Sequence, residues 1–123
     1  MTISDKEFEE IVTQAIDKLP EKYGQRLKNV AFVIEDDPTE EQRQQLHLYN
    51  GQTLFGLYQG VPLTRRGSGY NLVLPDKITL FKNPLSATCF TLAQLKERVY
   101  HTIWHEVAHY FGLDHTDIAK RER

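Results

Sequence analysis

The sequence predicts one domain that mixes α-helices with a few short β-strands. An amphipathic helix near the start, three short apolar segments in the middle and a longer helix near the end carry this prediction. At 123 residues the chain has room for a single modest core, so we expect residues 1–123 to form one domain. Its 40% hydrophobic and 26% charged residues are typical of a globular protein rather than a disordered one.

The first helix is predicted to begin after Ser4 and to end before Pro20. Ser4 and Glu7 have the spacing of a capping box, in which side chains bind the free amides of the first turn. The apolar residues that follow recur at helical spacing: Phe8, Ile11, Val12, Ala15, Ile16 and Leu19. We expect this stripe to cover the sheet.

Three apolar segments are predicted to be strands. Val30–Glu35 is a short run bounded by polar residues and is expected to be buried. Thr53–Tyr58 is a second strand, interrupted near Gly56. Lys77–Lys82 has lysines at both ends, which favours an exposed edge strand that could hold an extended peptide by main-chain hydrogen bonds.

The connections between these strands carry weaker signals. Thr39–Leu46 is polar and opens with a T-x-x-Q box, so it is either a short surface helix or an ordered loop. His47 at its end is interpreted as an ordinary surface histidine. Gly60–Asp76 is rich in Gly and Pro and is predicted to be a long loop, a kind of segment that is often functional or mobile.

The last helix is predicted to begin at a second capping box, formed by Thr91 and Gln94. Most of its apolar residues lie on the side opposite His105 and His109, so one face belongs to the core and the other carries chemistry. The expected core residues are Leu92, Val99, Tyr100, Ile103, Trp104, Val107, Tyr110 and Phe111.

The most informative segment is His105–His115, which has the pattern H-E-x-x-H-x-x-G-x-x-H. Histidines four apart on a helix differ by about 40° in azimuth, so the rings of His105 and His109 project from one face. Gly112 can end the helix in a left-handed conformation, which lets His115 return as a third ligand. Three nitrogens leave one position of a tetrahedral Zn²⁺ open for water, and Glu106 is placed to act as the general base.

Charge and cysteine content exclude several other functions. The net charge of −2 indicates neither nucleic acid nor an anionic membrane as a partner, and Arg65-Arg66 and the basic tail from Lys120 are interpreted as solvated. The first residues have no apolar h-region, so we expect no signal peptide, and no apolar run approaches the roughly 20 residues that would span a bilayer. Cys89 is the single cysteine, so we expect it to be a buried thiol in a cytoplasmic protein.

Other residues near the motif are weaker candidates. His101 lies one turn before His105, but rings two turns apart do not converge easily on one ion. Asp114 and Asp117 either bind a ligand imidazole or serve as turn and cap residues. Three residues are candidates for the group that stabilises the oxyanion, and the sequence favours none of them: Tyr110, Tyr70 and Arg65.

Taken together, these residues resemble the small bacterial zincin-like metallopeptidases, a minimal zincin group. The resemblance covers Asn29–Glu35 (N-V-A-F-V-I-E), Gly56–Arg65 (G-L-Y-Q-G-V-P-L-T-R), Leu74–Phe81 (L-P-D-K-I-T-L-F) and the histidine motif. It implies a zincin-like α+β fold, with a small mixed sheet packed against the active-site helix and the N-terminal helix. It also implies a zinc-dependent peptidase whose substrate is a peptide or a flexible protein segment.

Two features depart from the related families. The third ligand position is often Asp in the minimal group, whereas His115 matches the larger metzincins and is a good nitrogen donor for zinc. The metzincins place a Met-turn beneath the zinc, but the only methionine here is Met1. We therefore expect a cleft that is incomplete or completed by a protein partner. The alternative function is a zinc-binding or regulatory interaction module with little or no proteolysis.

Overall fold

The computed structural model describes residues 1–27, 29–45, 54–60 and 76–112. Within them, the chain forms five helices and three strands, which confirms the α+β class with a small mixed sheet. In chain order they are α1 (Asp5–Asp17), α2 (Glu21–Gly24), β1 (Val30–Glu35), α3 (Glu40–Gln45), β2 (Gly56–Gln59), β3 (Asp76–Phe81), α4 (Lys82–Ala87) and α5 (Leu92–Tyr110).

The strand order in the sheet is β1-β3-β2. β1 runs parallel to β3, with Val30 opposite Asp76, and β2 runs antiparallel to β3, with Gly56 opposite Leu80. The prediction that the lysine-flanked segment forms an edge strand is therefore wrong, because β3 is paired on both sides. Its lysines mark the limits of the strand instead, since Lys82 already begins α4.

The two flanking strands also differ in detail from the predictions. β1 has the predicted bounds but is only half-buried, and Ile34 is 36% exposed, because β1 has one strand neighbour in the described sheet. β2 begins at Gly56, so the glycine opens the strand rather than interrupting it. Thr53 lies outside the described residues.

α1 is amphipathic as predicted, and its first turn is capped by Ser4. The Ser4 hydroxyl accepts a hydrogen bond from the Glu7 amide at 3.1 Å and donates one to the Glu7 carboxylate at 3.0 Å, so only half of the capping box forms. The buried stripe of α1 packs mainly against α5 and shares one core with the sheet. The principal partner of α1 is thus the long helix rather than the strands.

Two short helices were not predicted. α2 is a single turn after Pro20 that buries Tyr23. α4 follows β3 directly and contains Asn83-Pro84. Pro84 is tolerated because it lies in the first turn of α4, where backbone amides have no helical partner to lose.

The polar segment after β1 forms a short helix. Thr39 and Gln42 exchange hydrogen bonds of 2.8 and 3.1 Å between side chain and backbone, and α3 follows directly. The helical alternative for this segment is therefore correct. Leu46, His47 and residues 61–75 of the predicted long loop lie outside the described residues.

Candidate metal centre

α5 is the framework of the site. Thr91 and Gln94 form the complete predicted capping box, in which each side chain accepts a hydrogen bond from the backbone amide of the other residue. One face of the helix is fully buried through Leu95, Val99, Ile103 and Val107. Leu92 is an exception to the predicted core because it is 44% exposed, whereas Trp104 and Tyr110 are buried as expected.

His105 and His109 lie next to each other on the opposite face of α5. Their ring centroids are 4.9 Å apart and the ring planes are inclined by 72°. Two imidazoles on one tetrahedral zinc, with Zn–N bonds of about 2.0–2.1 Å, have centroids roughly 5 Å apart. The pair therefore fits two ligands of one zinc ion.

Glu106 is held between the helix and the sheet. Its carboxylate accepts a hydrogen bond of 2.9 Å from the backbone amide of Tyr58 in β2, and Glu106 is only 8% exposed. The same oxygen, Oε1, lies 3.4 Å from Nδ1 of His109. The hydrogen bond and the charge of this carboxylate raise the pKa of His109 above its usual value, although partial burial of the ring opposes the effect. This contact engages Nδ1, so it leaves Nε2 as the nitrogen for a metal.

The helix ends as the motif predicts. Gly112 has a φ of 77°, in the left-handed region, and its amide donates to the His109 carbonyl at 2.9 Å. Within residues 1–27, 29–45, 54–60 and 76–112, no three metal-binding side chains form a cluster. The predicted third ligand His115 lies beyond these residues, as do Asp114 and Asp117.

The remaining candidates have other roles or lie elsewhere. His101 is half exposed, and its Nε2 is 3.8 Å from the Glu97 carboxylate. Cys89 is buried, as predicted. Tyr110 packs its ring against Tyr58 with centroids 5.9 Å apart. Of the other oxyanion candidates, Tyr70 and Arg65 lie outside the described residues.

A groove of about 780 Å³ opens beside the site. Its walls come from the residues leading into β2, from the turn between α4 and α5, and from α5 between Gln94 and Glu106. His105 and Glu106 lie at one end of this groove. Glu106 and one candidate ligand, His105, therefore border an open surface channel.

Sequence reasoning missed the contribution of β2. Tyr58 anchors Glu106 through its backbone amide, and no side-chain pattern reports where a main-chain amide will point. Gly56 lets the strand approach α5, because a Cβ there would lie 2.7 Å from Cγ2 of Thr102. A glycine within an apolar strand segment is the one sequence signal for such a close approach.

The comparison with family models identifies the class of this protein. Residues 27–123 match the model of the zincin-like metallopeptidase family, so the chain belongs to that family. The match includes α5 and the complete histidine motif. No curated protein matches the chain.

A solved structure supports the fold. The chain is similar to a conserved hypothetical protein from Thermus thermophilus, with 21% sequence identity and a TM-score of 0.60. The alignment covers 96% of this chain and 99% of the other. In the described part of the molecule, no helix has the length and apolar character needed to cross a membrane.

Proposed function

We propose that this protein is a zinc-dependent peptidase in which His105, His109 and His115 hold the metal and Glu106 is the general base. The observation that carries the proposal is the arrangement on α5. Two imidazoles have the spacing of ligands on one zinc, and a buried carboxylate lies beside them. Membership of the zincin-like metallopeptidase family supports the same chemistry.

The protein groups have distinct tasks in this proposal. A zinc ion in such a site lowers the pKa of its coordinated water to about 7 and polarises a carbonyl group. Glu106 accepts a proton from the attacking water and passes it to the leaving amine. The amide of Tyr58 keeps the carboxylate oriented, since it fixes one oxygen and leaves the other available.

The substrate is proposed to be a peptide or a flexible protein segment, because an extended chain fits the open groove that runs beside the helix. A protein partner that completes the cleft and a cytoplasmic location both remain predictions. The alternative function is a zinc-binding interaction module, and the following experiment distinguishes it from a peptidase.

The test compares the wild type with Glu106→Gln after both have been offered zinc. Glutamine retains the shape and the acceptor for Tyr58 but cannot take up a proton. We expect one zinc per chain in both proteins by elemental analysis. Hydrolysis of a quenched-fluorescence peptide pool should fall at least about 100-fold in the variant. Glu10→Gln, on the exposed face of α1, is the matched control and should behave like the wild type.

Three outcomes would contradict the proposal in different ways. Wild-type protein that takes up no zinc would overturn the metal site itself. Hydrolysis by Glu106→Gln at the wild-type rate would remove Glu106 from the mechanism. Zinc in both proteins without any turnover would instead support the interaction module.

A further inference from the structure

The groove beside the metal centre follows α5 toward the start of that helix. The α5 residues that line it recur at helical spacing from Gln94 to Glu106, so the groove runs parallel to the helix axis. From Gln94 to His105 a helix rises about 16 Å, which matches about five residues of extended chain at 3.3 Å each. The groove therefore has the length of a short peptide segment that leads directly to His105 and Glu106.

Phe90 stands at the far end of this groove and does not support the fold. It precedes the helix cap Thr91, a position from which an apolar side chain often packs onto the residue four places after the cap, here Leu95. Leu95 is fully buried, yet Phe90 is 90% exposed, so this packing is not made. Among the described residues, the hydrogen bond that Phe90 makes is from its backbone amide to the Gln94 side chain, at 2.9 Å. Its ring is left available for a ligand.

Phe55 forms a second recognition element between Phe90 and the metal centre. The Arg98 guanidinium lies over the Phe55 ring, 5.4 Å from the ring centroid. Arg98 is about 10 Å from His105 along the helix axis, or about three residues of extended chain. The stacked pair offers a flat surface on which an aromatic or large aliphatic side chain can rest.

From this arrangement we infer the substrate class. The groove binds the substrate as an extended peptide, and Phe90 with the Phe55–Arg98 pair selects a large apolar side chain three to five residues from the scissile bond. Aromatic side chains are favoured over aliphatic ones. The inference rests on the proposed peptidase function and adds to it a positional preference. The occupant is the substrate because the groove ends at the hydrolytic residues.

The test uses quenched peptides of Ala, Ser and Gly in which a single Phe is moved through every position. Cleavage sites are read by mass spectrometry for zinc-loaded wild type, Phe90→Ser and Leu92→Ser. In the wild type, kcat/KM should be about tenfold higher when Phe lies three to five residues from the cut. Phe90→Ser should reduce this ratio of kcat/KM values toward one. Leu92→Ser should retain it, because Leu92 is also exposed, at 44%, but does not line the groove.

A binding measurement separates this inference from the function on which it rests. A fluorescein-labelled Phe peptide is titrated with zinc-loaded Glu106→Gln, with and without Phe90→Ser, by fluorescence anisotropy. Weaker binding in the double variant, without any cleavage by the wild type, would support the groove and refute the peptidase. Cleavage by the wild type with no dependence on the Phe position, or with equal profiles for Phe90→Ser and Leu92→Ser, would overturn the inference alone. If the protein neither binds nor cleaves the peptide, both the inference and the proposed peptidase function are refuted.

Discussion

Glu106 is held by two elements of the fold before any substrate is present. Its carboxylate binds the Tyr58 amide of β2 and lies beside His109 of its own helix. Such contacts restrict the carboxylate to one orientation, so less reorganisation is needed when a proton is transferred. At the scale of single residues, the orientation of the Glu106 carboxylate therefore depends on the distance between β2 and α5.

Gly56 sets that distance. A Cβ at this position would lie 2.7 Å from Cγ2 of Thr102, 3.3 Å from the Thr79 carbonyl oxygen and 3.4 Å from Cγ of Glu106. The shortest of these contacts is with a methyl group on α5. An added methyl at Gly56 therefore requires the Thr102 side chain, the strand or the helix to shift.

We expect Gly56→Ala to lower the free energy of unfolding by about 1–3 kcal/mol, because a methyl group is forced into a packed contact. Thr102→Ser removes Cγ2 but keeps the hydroxyl, which donates to the Arg98 carbonyl at 2.8 Å. The double variant Gly56→Ala/Thr102→Ser should therefore recover part of the loss in a urea titration. The explanation would be contradicted if the double variant lost more unfolding free energy than the sum of the losses in the two single variants.

At the scale of elements, both ends of α5 are specified by single residues. The capping box of Thr91 and Gln94 begins the helix, and Gly112 ends it with a φ of 77°. The residue after a helix adopts this left-handed conformation at little cost only when it is glycine. The direction in which the chain leaves His109 therefore depends on Gly112.

Gly112→Ala should reduce the free energy of unfolding by about 1 kcal/mol, because a Cβ is unfavourable at a left-handed φ. Gly24→Ala is the matched control. No atom lies within 4 Å of a Cβ at Gly24, so alanine there should be neutral or slightly stabilising. Equal effects of the two substitutions in thermal unfolding would show that the conformation of Gly112 is not important.

The elements that depend on local signals were predictable, and those that depend on distant partners were not. The capping box at Thr91, the apolar stripe of α1 and the end of α5 at Gly112 are encoded within a few neighbouring residues. The central place of β3 is different, because it depends on pairing with segments far apart in the chain. α2 and α4 were missed because helices of four and six residues are too short to show periodicity.

The candidate site also combines features that the local sequence predicted with features that depend on distant partners. The histidine motif predicted that His105 and His109 would share a face, and their rings are adjacent. The anchor from Tyr58 and the exposed ring of Phe90 depend on how the strand and the α4–α5 turn lie against α5. Apart from Gly56, which marks the close approach of β2 to α5, such tertiary placement leaves no mark in the local sequence.

At the scale of the whole molecule, zinc should stabilise the fold, because an ion that binds only the native state shifts the unfolding equilibrium. At a free zinc concentration 100 times Kd, the expected gain is about 2.7 kcal/mol. His105→Ala should lose most of this gain in denaturant titrations with and without zinc. His101→Ala should keep it, because His101 faces Glu97. Loss of the gain in both variants would contradict the ligand assignment.

The strand order has a consequence for the time course of folding. Both neighbours of β3 precede it in the chain, and the buried face of α1 packs against α5, which follows β3. Contacts between distant segments form slowly, because a long loop must close before any pairing energy is gained. A chain growing on the ribosome thus cannot complete its core until α5 has emerged. Since α5 also carries His105 and His109, the nascent protein acquires the helix of the candidate metal centre and its core at the same moment.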